Sequence, residues 1–140
     1  MAAILARDRE FSQRNAPDTD AMTHAEFLST LLRTVRAEGA ASTLEHVRNT
    51  RPAFHPIGHG AVAYHDTLAV FYVWAVDRLV AGGLSDFGVI WHPLVDPRSP
   101  QVWWTPATLA SPDAMAHFQP SELAREGEPQ PAEPSVLLAA

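Results

Sequence analysis

At 140 residues, with 46% apolar and 19% charged side chains, the chain has the size of one domain and enough apolar surface to build a core. Its net charge of -6 argues against a nucleic-acid partner. There is no Cys and no Lys, all ten basic residues being Arg, which excludes disulfides, thiolate catalysis, thiolate-held zinc or iron–sulfur clusters, Schiff-base chemistry and the P-loop lysine.

Residues 1–20 read as a polar N-terminal arm broken at Asn15-Ala16-Pro17-Asp18. No basic stretch and apolar run of signal-peptide form precede Arg7. The most apolar window, Leu68–Val76, is closed off by Asp66, Asp77 and Arg78 and falls far short of the roughly 20 residues that span a bilayer. The expectation is therefore a soluble, cytoplasmic protein with no membrane partner. Arg without Lys, few Ile and abundant Ala fit a GC-rich bacterial genome.

Residues 21–118 read as a single α+β domain. Thr23-His24-Ala25-Glu26 matches a capping box, and Phe27, Leu28, Leu31, Leu32 and Val35 follow at helical spacing until Gly39. Ser42-Thr43-Leu44-Glu45 is a second capping box, opening a short helix to about Asn49. The two predict an αα-hairpin joined by Gly39-Ala40-Ala41. Leu68, Phe71, Tyr72, Ala75, Val76, Leu79 and Val80 then fit one helical face, with Asp66 as N-cap and Gly82-Gly83 as stop. The β-branched and aromatic run Val70-Phe71-Tyr72-Val73-Trp74 supports a buried strand over the same stretch as the competing reading. Either element is apolar nearly all round and belongs inside the domain or in an interface.

Phe87–His92 and Gln101–Thr105 read as strands about the turn Asp96-Pro97-Arg98-Ser99-Pro100, with Gly60–His65 as a further strand. The resulting expectation is a small antiparallel sheet after the helices. Residues 119–140 form a Pro/Glu-rich tail, disordered or extended, whose Val136-Leu137-Leu138 is free to dock.

Three groups of residues bear on function. His59, His65 and His92 would gather about a divalent metal if the 59–65 strand paired beside 87–92, although no metal or other cofactor is favoured. His55 and His59 have the spacing of a zinc-protease helix, but Pro56, Gly58 and Gly60 break that helix. His65 with Asp66 could act as a catalytic pair in an aromatic pocket holding a small molecule. Trp91, Trp103, Trp104, Tyr72 and Trp74 are interface anchors if they reach an uncovered face. The expected function is non-catalytic protein–protein interaction or assembly, as a homo-oligomer or with a protein partner. The alternative is a small enzyme or ligand-binding protein built around His65.

Overall fold

The computed structural model describes residues 24–54, 62–83, 94, 96 and 98–134. Its elements are α1 (His24–Glu38), α2 (Ala40–Thr50), α3 (Asp66–Ala81), a 3-10 turn (Ser99–Val102), α4 (Pro106–Leu109) and α5 (Pro112–Ala116). Among the described residues there is no sheet. The expected α+β architecture is thus corrected to a helical one.

The corner between α1 and α2 is a single residue. The Gly39 N–H donates to the Val35 carbonyl at 2.8 Å and closes α1, while its own carbonyl accepts from Thr43 N at 3.1 Å and opens α2. This double role needs φ 87° and ψ 167°, a conformation reserved almost entirely for Gly. The second helix therefore begins earlier than its capping box suggests. Ser42 and Thr43 lie inside the first turn, and the Thr43 hydroxyl donates back to the Gly39 carbonyl at 2.7 Å.

The central segment is the helix, not the strand. Its buried face is wide, taking in every residue from Asp66 to Val73 together with Ala75 and Val76. A helix buried all round must be covered on several sides, and that requirement explains the strand-like composition: β-branched and aromatic side chains fill space between packed elements better than Ala does. On one side lie α1 and α2, which supply Leu28, Leu31, Leu32, Val35, Leu44 and Val47 to the core. On another lies α5 with Trp104 and Leu109, in the same cluster.

Where strand 101–105 is expected, the chain coils instead. Pro100 fixes φ near the helical value and sits near the start of the 3-10 turn, and Pro106 opens α4 in the same way. Exposure along Gln101-Val102-Trp103-Trp104 is partial, high, partial and nil, which is not the alternation a half-buried strand requires. Strand pairing is limited to one antiparallel bridge among the described residues, with Phe54 N donating to Val62 O at 3.1 Å and Val62 N to Phe54 O at 2.8 Å. Of the expected strand Gly60–His65, the described part Val62–His65 makes only that bridge and then turns into α3 at His65. Gly60, Ala61, the expected strand at Phe87–His92, residues 1–20 and Val136-Leu137-Leu138 lie outside the described residues.

The first half of the tail is built into the domain. The Trp104 indole N–H lies 3.1 Å from the Gln119 and Pro120 carbonyls, Ser121 donates to the Trp103 carbonyl at 2.8 Å, and Glu122 N donates to the same carbonyl at 3.0 Å. Trp104 has no exposed surface and meets Phe71 and Phe118 edge-to-face at 5.8 and 6.2 Å. From Glu122 to Gln130 the chain is mostly exposed, with Ala124 partly covered, and Pro131 is buried again.

Candidate functional site

The N-terminus of α3 brings together three consecutive buried polar side chains, His65, Asp66 and Thr67. His65, not Asp66, is the N-cap: its backbone is extended and its ring Nδ1 accepts from Leu68 N at 3.2 Å. The ring's other nitrogen, Nε2, donates to the Leu109 carbonyl at 2.7 Å. These bonds fit the neutral imidazole protonated on Nε2, and they commit both nitrogens to backbone. His65 has no exposed surface, so the expected base sits as a strut between α3 and α4.

With the cap supplied by its neighbour, Asp66 turns outward along a different path. Oδ1 accepts from Arg48 Nε at 2.9 Å and from Tyr64 Oη at 2.9 Å. Oδ2 accepts from Arg48 Nη2 at 2.9 Å and from Phe118 N at 3.0 Å. Burial pushes the carboxyl upward, but the hydrogen bonds from Arg48 and Tyr64, the Arg48 charge and the Phe118 amide outweigh it and hold Asp66 below the ordinary carboxylate range. The hydrogen bond to Asp66 chiefly raises Arg48 in turn, and burial chiefly pushes the Tyr64 phenol up, helped by the Asp66 charge.

Beside this cluster is an open cleft of about 420 Å³, lined by Arg48, Arg51, Tyr64, Asp66, residues 116–118 and Glu133. Arg51 ends α2 in the left-handed conformation, φ 48°, which costs an ordinary side chain about 1–2 kcal/mol. Its backbone N–H closes the helix on Val47 O, and its guanidinium lies over the Tyr64 ring, 4.6 Å from the centroid. Glu133 reaches back from the tail and pairs with Arg48 at the cleft's edge.

The tryptophans divide between core and surface. Trp104 and Tyr72 are buried. Trp74 and Trp103 are half-buried and meet edge-to-face at 5.6 Å, with the Arg78 guanidinium 5.2 Å from the Trp74 ring centroid. Next to Trp103 in the chain or bonded to its backbone are the two most exposed large apolar side chains among the described residues: Val102, at 66%, and Leu123, at 46%, whose N–H donates to the Trp103 carbonyl. Trp91, His59 and His92 lie outside the described residues, among which no three His, Asp or Glu side chains gather as a metal site.

The sequence points to His65, Asp66 and the aromatics, and offers Arg33, Arg36, Arg48 and Arg51 either as a group that meets a phosphate or an acidic partner or as a solvated helix face, but it does not join Arg48 and Arg51 with Asp66 and Glu133 in one cleft. The signals for α4 and α5 are present: Thr105-Pro106 and Ser111-Pro112 each place a hydroxyl at the N-cap and Pro at the first helical position. Among the described residues no helix is long and apolar enough to cross a membrane. No protein-family model, curated protein or solved structure matches this chain.

Proposed function

We propose that the chain is a non-catalytic interaction or assembly protein whose contact surface is the face carrying Trp74, Trp103, Val102 and Leu123. The observation behind this reading is the half-exposed Trp74–Trp103 pair, with two exposed aliphatic side chains next to Trp103 in the chain or bonded to its backbone. Half-covered indoles on a helical scaffold are already ordered, so burying them under a partner costs little conformational entropy. Arg78 over Trp74 supplies a charged rim. No comparable observation favours an enzyme centred on His65, because both ring nitrogens are used to fasten backbone.

Native mass spectrometry of the full chain purified from its own host tests the proposal, with Trp103→Glu as the variant. The expected result is an oligomer or a protein complex for the native chain and its loss in the variant. A hot-spot indole contributes at least about 2 kcal/mol, or roughly 30-fold in affinity. A native chain that is monomeric at about 100 μM with no protein attached refutes the reading, as does a complex that Trp103→Glu leaves intact.

A further inference from the structure

We infer that the outer edge of Arg48 is a carboxylate-binding site for an acidic, proline-flanked peptide segment, and that Pro131-Ala132-Glu133 is its intramolecular occupant. A guanidinium presents two forked donor edges, each matched to a carboxylate. The edge formed by Nε and Nη2 is saturated, since both donate to Asp66 at 2.9 Å. The edge formed by Nη1 and Nη2 is half used. Nη2 donates to Glu133 Oε1, while Nη1 has no acceptor among the described residues.

The site is prepared on one side and loosely closed on the other. Asp66, with a side chain only 9% exposed, fixes the plane of the guanidinium, so a ligand need not order it. Glu133, by contrast, is 49% exposed and reaches the cleft after a run of mostly exposed residues that includes Gly127 at positive φ. The cleft keeps about 420 Å³ beside this contact, with Arg51 on its wall. Displacing Glu133 leaves the outer edge of Arg48 without its carboxylate, which a ligand carboxylate then replaces.

The chain's own segment names the ligand chemistry. Pro131 is buried while Ala132 and Glu133 are exposed, so the surface holds a Pro-x-Glu sequence by a covered ring and a carboxylate. A second peptide of that pattern meets the same groups and can take both nitrogens of the outer edge. The tether gives the internal segment a high effective concentration, so the tail sets the threshold an external peptide must exceed. No residue of the Trp74–Trp103 face takes part, and the two readings fail separately.

The test is fluorescence anisotropy with a labelled synthetic peptide of the Glu128–Pro134 sequence, titrated with the full chain and with its Glu133→Gln variant. The variant should bind about fivefold tighter, the equivalent of the roughly 1 kcal/mol at the upper end for an exposed ion pair. The same peptide carrying Glu133→Gln should bind neither chain. Glu133→Ala is the second variant, expected to behave as Glu133→Gln does. Equal affinity of native and variant chains, equal binding of the two peptides, or no binding to either variant at about 1 mM overturns the inference.

Discussion

Asp66→Asn is the substitution that most directly tests the polar cluster at the start of α3. The amide keeps the size and shape of the carboxylate but replaces one acceptor oxygen with a donor. Each carboxylate oxygen accepts two hydrogen bonds, from Arg48 and Tyr64 on one side and from Arg48 and Phe118 N on the other. Whichever way the Asn is turned, one pair of donors faces another donor. Hydrogen bonds to charged groups are each worth about 1.5–3 kcal/mol, and an abandoned buried donor costs about 1–3. Arg48 is 37% exposed, so its share is reduced by solvent screening. The expected loss is about 3 kcal/mol, or a fall in Tm of roughly 10 °C for a domain of this size.

The sign of the pH dependence follows from the lowered carboxyl. A group that holds its proton less tightly when folded stabilises the fold above its unfolded pKa, near the ordinary 3.8, and loses that contribution as pH falls through the lower folded value. Thermal melts followed by circular dichroism at about pH 7 and about pH 2 should show a large gap between native chain and variant at neutrality and a much smaller one in acid. A gap below about 0.5 kcal/mol at neutrality, or one that does not narrow in acid, refutes this account of the cluster.

Two further substitutions probe how the helices are joined. His65→Ala removes both the cap of α3 and the donor to Leu109 O from a fully buried position, and urea unfolding should show a loss of about 2–4 kcal/mol; a variant as stable as the native chain removes His65 from its role as a strut. Gly39→Ala places a methyl where no atom lies within 4 Å, so crowding costs nothing, yet the backbone conformation should still cost about 1–3 kcal/mol. A neutral result in the same assay shows that the corner relaxes.

The helices were legible where one face repeats at 3.6 residues. Leu28, Leu31, Leu32 and Val35 disclose α1, and the spacing from Leu68 to Val80 outweighs the β propensity of the residues between. The sheet is not legible because Val102, Trp103 and Trp104 have strand-forming side chains and the flanking Pro100 and Pro106 read equally well as strand ends. A Pro at the start of a helical turn has the same local appearance, and only the packing of Trp104 against Phe71 decides between them. Half of the site was visible. Asp66 and Tyr64 lie two residues apart in the sequence, but Arg48 and Phe118 come from 18 and 52 positions away and Glu133 joins only through Arg48, and no local pattern carries such separations. His65 was read as chemistry because the sequence does not show that two backbone groups would meet its ring.

The way α3 is covered also bears on how the chain folds. Its partners on both flanks are distant in sequence: Phe27 of α1 meets Tyr72 across 45 positions, and Thr67 is tied to the Ala114 carbonyl and the Gln119 amide, 47 and 52 residues away. Closing loops of such similar length costs the two flanks nearly the same chain entropy, so neither side of α3 is favoured by nearness in sequence. An early species with α1–α3 assembled and the flank undocked would present the apolar surface around Phe71 and Val70 to water, together with the unfilled seat of Trp104. Self-association in that interval would arise from a face the finished protein no longer shows. Trp104, which loses all contact with solvent in the folded chain, is a fluorescent reporter of the step that ends the exposure.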